Sequence, residues 1–335
     1  MITTTALVPA RRSAVRTLLA TVTEHDGVSP LDEAALLALD GEDARHLLLT
    51  ADGAATDTHE AEAAAGATAA GADGDRPADP AASADPADPA DPADETLLGY
   101  VSVLGDGTVQ GMVDPAHRRR GHGSALLRAA LALRPDAGVW VHGALEGSLA
   151  FLTDAGLTET RRLLTLRRDL GGAQPLPSAP APTLEGLRLD TFEETRDAEA
   201  WVAVNARAFA DHPEQGALTR ADLEQRLAQP WFDAEDMLVA LRDETLVGFV
   251  WIKREQPGAT DRDAEIYVVA TDPSVQGHRV AGHLMASALE RLERDGVPGV
   301  ELYVEADNAP ALRLYENWGF EVSGRDVQLR ATERG

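Results

Sequence analysis

Two short turns in the sequence have the composition of an anion site. In the first, strand-like GMVDP (111–115) leads through Arg118-Arg119-Arg120-Gly121-His122-Gly123 into helix-like SALLRAALAL from Ser124. In the second, YVVATDP (267–273) leads through Gln276-Gly277-His278-Arg279-Val280-Ala281-Gly282 into HLMASALERL. A helix that begins just after a strand leaves its first N–H groups unsatisfied and presents the positive end of its dipole there, so anions bind at that point. Glycine lets a phosphate come close to the backbone, and arginine adds charge-assisted hydrogen bonds. The chemistry this composition offers is the holding of a pyrophosphate.

Such turns need a strand before and a helix after, and the apolar periodicity supplies both. In the second half, strands are expected near 236–241, 245–252, 264–272, 299–304 and 320–330. Helices are expected near 195–209, 219–228, 280–294 and 308–317. A mixed sheet flanked by helices, an α/β fold of the α+β kind, follows. The two halves also repeat one another. With Asp114-Pro115 laid over Asp272-Pro273 the two turns coincide, and VWVHGALEGSLAFLTDAGL falls on LYVEADNAPALRLYENWGF without a gap. A repeat of this length means duplicated domains.

Two composition breaks set the expected boundaries. The segment from about 51 to 95 is rich in Ala, Asp and Gly and ends in Asp-Pro-Ala repeats. It has little to bury, and it reads as a disordered acidic insertion at a hairpin tip between HLLLT and TLLGYVSVL. GGAQPLPSAPAPT, within 171–184, reads as an interdomain linker. The domains are then 1–170 and 185–335.

Composition removes several classes of function. The 335-residue chain has no cysteine, so disulfides, thiolate metal sites and a cysteine nucleophile are absent. A net charge of -26 opposes a nucleic-acid partner, whose phosphates need Lys and Arg. No run of eighteen apolar residues marks a membrane span, and the N-terminus lacks the order of a signal peptide. The expectation is a cytoplasmic, monomeric protein acting on small molecules without a metal. Lys253 is the only lysine.

The Gln/Arg-x-x-Gly-x-Gly/Ala pattern at both turns resembles the acetyl-CoA pyrophosphate loop of GNAT acetyltransferases, so two tandem GNAT domains are implied. Arg118, Gly121 and Gly123 match in full. Gln276 and Ala281 match, but Arg279 stands at the inner glycine position, where its side chain would either crowd the phosphate path or bind the phosphates itself. The resemblance implies acetyl-CoA contacts at Val269, Ala270 and Thr271, at Gln276 to Gly282 (Gly277, His278, Arg279, Val280 and Ala281 between them), and at Asn308, Ala309, Pro310, Ala311, Leu312 and Arg313. In the first half it implies them at Gly111, Met112, Val113, Arg119, Arg120, Gly121, His122, Gly123 and Ser124.

Amide formation from a thioester requires a proton to leave the attacking ammonium and benefits from a proton given to the departing thiolate. Glu265, in the strand AEIYVVA, is the expected base. Tyr315, seven residues after Asn308, resembles the GNAT tyrosine that protonates the CoA sulfur. By the repeat alignment Gly107 stands in the place of Glu265, Leu152 in that of Tyr315 and Leu145 in that of Asn308, so catalysis is expected in the second half and the first is expected to be silent.

Four segments, HDGVSPLDEAAL, NARAFADHPEQG, EIYVVATDP and LYVEADNAPALRLYENWGF, are similar to the mycothiol synthase family, two-domain GNAT enzymes. The resemblance implies acetylation of a cysteinyl amine on a glucosaminyl-inositol, with substrate contacts at Glu33, Glu214, Lys253, Glu265 and Tyr303, the first reaching across domains. A GNAT acting on another small amine, or an acyl-CoA-binding module without catalysis, are the competing readings.

Overall fold

The computed structural model describes residues 1–42, 44–51, 96–172, 174–178, 181–210 and 215–331. The expected insertion, 52–95, and Glu214 lie outside them. Contacts divide the chain into two units, one of 1–161 with 326–335 and one of 162–325.

Unit 1 is a meander that ends in a parallel step. Strands β1 (Ile2–Thr4), β2 (Ala44–Thr50), β3 (Leu97–Leu104) and β4 (Thr108–Val113) pair antiparallel in order, and β4 pairs parallel with β5 (Gly138–Val141). Leu48 pairs with Tyr100 and Ala51 N–H donates to Thr96 O at 3.0 Å, so β2 and β3 stay paired up to residues 51 and 96. Alternation sends Leu47, Leu49, Val101, Val103 and Val109 to one face, with Leu126 and Ala130 of α3 (His122–Leu133). Leu48, Tyr100 and Met112 go to the other, under α1 (Pro9–Asp26) and α2 (Glu33–Ala38). Helix α4 (Glu146–Asp154) follows β5.

Unit 2 repeats the plan. Strands β7 (Leu187–Thr191), β8 (Met237–Arg242), β9 (Thr245–Lys253) and β10 (Ala264–Thr271) pair antiparallel, β10 pairs parallel with β11 (Gly299–Glu305), and β11 pairs antiparallel with β6 (Leu157–Asp169). Helix α7 (Val280–Asp295) buries Val280, Leu284, Leu289 and Leu292 against Val250, Ile252, Ile266, Val300 and Leu302. On the other face, α5 (Glu194–Ala208) and α6 (Arg220–Leu227) bury Trp201 and Leu223 against Phe249 and Trp251. Helix α8 (Ala309–Asn317) follows β11. At about 25 cal/mol per Å² of apolar surface, these two layers are the main source of stability.

The unit boundaries differ from the expected 1–170 and 185–335. Strand β6, from the end of the first half, pairs with β11 through Leu163 to Asp169. Strand β12 (Glu321–Ala331), from the end of the second half, pairs with β5 through Val327, Gln328 and Leu329. Each unit is thus closed by the other half's last strand. A period of two identifies a strand and its faces but not its neighbour. In a duplicated chain both sheets present equivalent edges.

The Pro-rich segment expected to be an interdomain linker falls within unit 2. Leu170 and Leu184 are buried in the α7-side core, and Leu170 N–H donates to Pro298 O at 2.9 Å. The buried guanidinium of Arg168 donates to Gln174 O and Pro175 O at 3.1 and 3.2 Å, and also to Trp318 O at the C-terminus of α8. Small size and proline mark this segment as loop, while its leucines and the carbonyls facing one arginine decide where it lies. Gly319 completes the lock, with φ of +76° and no room for a Cβ beside Arg168 Nη1. Gly319→Ala is therefore expected to cost about 1–3 kcal/mol, from left-handed strain and a displaced guanidinium. Urea unfolding would show this as a lower midpoint at unchanged slope.

Candidate active site

The site begins where two parallel strands separate. β10 and β11 pair only at Ala264↔Val300 and Glu265↔Glu301, yet β10 runs on to Thr271 and β11 to Glu305. Beyond Glu265, the β10 edge that faces β11 has no ladder partner among the described residues. Val269, Ala270 and Thr271 lie on this open stretch, where backbone N–H and C=O groups can bond an extended amide-bearing ligand. Strand β10 is also bulged, because Ile266 pairs with Ile252 and Val268 with Trp251. Tyr267 is the extra residue. Bulges re-aim side chains next to sites, and this one puts Tyr267 and Val268 together with the α5/α6-side core.

The second glycine–arginine turn sits directly beyond this edge. Gln276 and His278 are exposed, and Gly277 and Arg279 both adopt left-handed backbone, at φ of +81° and +64°. Arg279 is the N-cap of α7, and Val280, Ala281 and Gly282 form its first turn. His278 is tied to the strap of chain before β7, since its carbonyl accepts from Thr183 N–H and its Nδ1 shares a hydrogen bond with Thr183 Oγ1, both at 3.2 Å.

Unit 1 has the same turn with the residue types exchanged. Arg119 and Gly121 hold the left-handed positions, at φ of +62° and +85°. Each turn therefore carries one glycine and one arginine in the same pair of conformations. Arg279 departs from the pattern in side chain but not in backbone, so the exposed guanidinium adds positive charge without changing the nest of N–H groups. Left-handed backbone costs a non-glycine residue about 1–2 kcal/mol. Arg279→Gly is expected to raise the thermal midpoint while weakening acetyl-CoA binding, most clearly at low salt. Differential scanning calorimetry and a salt series of binding titrations read the two effects separately.

The face of the sheet opposite α7 carries the charged groups. Glu265 pairs in register with Lys253 on β9 and with Glu301 on β11, and Glu301 pairs with Arg167 on β6. Arg167, Glu301, Glu265 and Lys253 form one row across four strands. The Lys253 ammonium lies 4.7 Å from the Trp231 ring centre and 5.3 Å from that of Tyr267, and Arg226 Nε donates to the Tyr267 hydroxyl at 2.9 Å. Tyr303, 45% exposed, stands two residues beyond Glu301 on the same face. Burial, and then the charge of Asp263, raise the Glu301 carboxyl above the ordinary glutamate range, against the pull of Arg167.

Tyr315 approaches from the α7 side. It is buried in that core, and its ring meets Phe320 edge-on at 5.9 Å. Burial pushes its phenol up to about 12, so it holds its proton at any ordinary pH. Asn308 caps α8, accepting from Ala311 N–H at 3.1 Å, and Pro310 occupies the first turn. Ala309, Ala311, Leu312 and Arg313 complete the N-terminal part of the helix that carries Tyr315. In unit 2, Lys253 and Glu265 are cross-strand partners, the 276–282 turn follows β10, and Tyr303 and the 308–313 helix start belong to β11 and the helix after it.

Unit 1 keeps the turn but has no counterpart of Glu265 or Tyr315. Gly111, Met112 and Val113 end β4, while His122, Gly123 and Ser124 start α3, with Arg120 exposed beside them. The β4–β5 pairing also stops early, at Val109↔Val139. Leu145 caps α4 without a side-chain bond, and Leu152 is buried. Arg118 is engaged elsewhere, holding both oxygens of Asp26 at 2.8 and 2.7 Å and Val113 O at 3.1 Å. The Arg118 hydrogen bond keeps the Asp26 carboxyl below its usual range. Glu33 is the first residue of α2. Among the described residues no group of His, Cys, Asp and Glu could hold a metal, and no helix is long and apolar enough to cross a membrane.

Glu301, Trp231 and Tyr267 are not among the residues that the sequence singles out. Only strand register puts Glu301 beside Glu265. The aromatic pair has one signal, in that both residues belong to the scarce 4% of aromatic residues.

Comparison with known proteins agrees with this geometry. Residues 201–320 match the Acetyltransferase (GNAT) family. A mycothiol acetyltransferase of Brachybacterium faecium is 96% identical over 335 residues, covering 100% of both chains. One of Thermomonospora curvata is 40% identical over 321 residues, covering 95% of this chain and 93% of the relative. Among solved structures, a GCN5-related N-acetyltransferase from Sphaerobacter thermophilus matches with a TM-score of 0.60 at 22% identity, covering 98% of this chain and 94% of the other. A tandem GNAT protein from the clavulanic acid biosynthesis pathway matches at 0.53 and 22%, covering 71% and 81%. These two establish the fold, and the near-identical full-length relative establishes the rest: the chain belongs to the mycothiol acetyltransferase family of GNAT acetyltransferases.

Proposed function

We propose that this protein transfers the acetyl group of acetyl-CoA to the cysteinyl amine of 1D-myo-inositol 2-(L-cysteinylamino)-2-deoxy-glucopyranoside, giving mycothiol and CoA. The observation that carries this reading is the parting of β10 from β11 at Glu265, with a helix-start anion turn beyond it and a buried tyrosine on the opposite face.

The open β10 edge suits the two amides of a pantetheine arm, and the left-handed turn with its arginine suits a pyrophosphate. The Val269–Thr271 stretch then brings N–H groups to the thioester oxygen, where donors aimed at developing charge are most effective. Glu265 takes the ammonium proton, directly or through water. An α-amine ordinarily titrates at about 7.7–8.0, so that proton is weakly held near neutrality. The amine adds to the thioester carbonyl; the C–S bond then breaks as Tyr315 gives its proton to the departing sulfur, and the second nitrogen proton leaves through water and restores the Tyr315 phenol. Addition of the amine and collapse of the tetrahedral intermediate are separate proton transfers, which a base and an acid on different faces of the sheet can serve separately. Lys253, Tyr303 and the Trp231 ring offer hydrogen bonds and a stacking surface to a hydroxyl-rich acceptor. Glu33 and Glu214 are further acceptor contacts in this reading, and unit 1 is catalytically silent because Leu152 stands where the acid would be and Thr108 where the base would be. The bulge at Tyr267 moves the equivalence by one from the expected Gly107, since Thr108 pairs with Gly138 as Glu265 pairs with Glu301.

The test is free-CoA release by purified protein given acetyl-CoA and this acceptor, beside an aminoglycoside and a peptide with a free N-terminus. Release with the cysteinyl acceptor alone is expected. Equal release with all amines would make the protein a general acetyltransferase, and none with any would remove catalysis.

A further inference from the structure

We propose that Glu301 is the second half of a two-carboxylate clamp that, with Glu265, holds the acceptor's ammonium group at the point where β10 and β11 part. This rests on the reading of the protein as an amine acetyltransferase.

Strand register brings the two carboxylates together. Glu265 and Glu301 are direct partners, at the last pairing before the strands separate. Neighbouring strands lie about 4.7–4.9 Å apart, so like charges on in-register partners on one face repel. The row that contains them runs Arg167, Glu301, Glu265, Lys253. Its outer cations make further contacts as well. Arg167 gives Nε and Nη2 to Asp263 and Nη1 to Asp169, and the Lys253 ammonium lies over the rings of Trp231 and Tyr267. The centre of the row is a pair of adjacent carboxylates at the vertex of the cleft. A cation entering between them relieves the repulsion, and the substrate of an amine acetyltransferase brings one. Once Glu265 has taken the proton, Glu301 still accepts a hydrogen bond from the neutral amine and keeps its lone pair aimed at the thioester.

The same pair bears on which atom is acetylated. A cysteinyl acceptor offers an amine and a thiol, and the thiolate, formed with an ordinary pKa of about 8.5, is the stronger nucleophile. Two carboxylates attract the ammonium and repel the thiolate, so the row favours nitrogen.

Charged and titratable neighbours of Glu301 are Arg167 on β6, Asp263 before β10, Glu265 on β10, Lys253 on β9, and Tyr303 and Glu305 on β11 itself. Removing a like charge beside a carboxylate favours the ionised form. The acid limb of kcat/KM should therefore move downward in Glu301→Gln, by an amount that a distant structural residue would not produce.

The experiment compares full-length wild type, Glu301→Gln and Glu301→Asp by steady-state kinetics with each substrate varied, and by calorimetric titration of the acceptor. In Glu301→Gln, the acceptor KM and Kd should rise about tenfold, the scale of one charge-assisted hydrogen bond. The acetyl-CoA KM should change far less, and Glu301→Asp should recover part of the loss. The thermal midpoint should hold or rise, because repulsion is relieved. An unchanged acceptor KM and Kd, or equal losses toward both substrates, would overturn the clamp. Acceptor binding that depends on Glu301 without any CoA release would support the clamp and overturn the catalytic reading. A wild type that neither binds nor acetylates the acceptor would overturn both.

Discussion

Glu265→Gln is expected to lower kcat by about 10²–10³-fold, within the range that a lost general base costs, while acetyl-CoA binds as before. The amide keeps the size and hydrogen-bonding reach of the carboxylate, and the β10 backbone stays paired with β9 through Lys253 and Ile252. What disappears is the ability to take a proton from an ammonium. Only the unprotonated fraction of the amine can then react, so the rate of the variant should climb with pH and close part of the gap to wild type. Initial rates from about pH 6 to 10, a range that brackets the ordinary titration of an α-amine, would show it. Equal rates for variant and wild type at neutral pH would mean that another group takes the proton.

The second large effect is expected from Tyr315→Phe, a loss of about 10²-fold in kcat, at the low end for general acids because a thiolate leaves more readily than an alkoxide. The substitution deletes one oxygen from a buried ring that would keep its edge-on contact with Phe320, so unfolding should change little. Burial holds the phenol proton up to about 12. The group is thus ready to donate throughout the working range, and any basic limb well below that value belongs to another residue. An acetyl thioester of a more acidic thiol needs less help in leaving. The ratio of wild-type to variant rates should therefore shrink with such a donor. A ratio that does not depend on the leaving group would show that Tyr315 acts on the fold rather than on sulfur.

Much of this is legible in residue order. The two strand–turn–helix segments, the hairpin around 52–95, and the placement of Leu145 and Leu152 over Asn308 and Tyr315 follow from periodicity and one internal alignment. Strand β7 is hidden, because LRLDT is short and sits beside a proline-rich run. The exchange of β6 and β12 cannot be read either, since both last strands alternate in the same way and either sheet would accept them. Arg279 looks like damage to the phosphate turn, because a glycine position is expected there. Backbone angles show that Arg119 and Gly277 make the complementary trade in the two units. Glu301 stays hidden for a different reason. Its neighbour Glu265 is distant in sequence, and only a parallel pairing joins them.

At the centre of the mechanism is a nitrogen, held among carboxylates, in line with a thioester. The most direct test gives the enzyme two modified acceptors, one with its thiol methylated and one with its amine blocked. The methylated acceptor should be acetylated and the amine-blocked one should be inert. Transfer to the amine-blocked acceptor, with none to the methylated one, would show that sulfur attacks first and would contradict the assignment of Glu265 as the base for an amine.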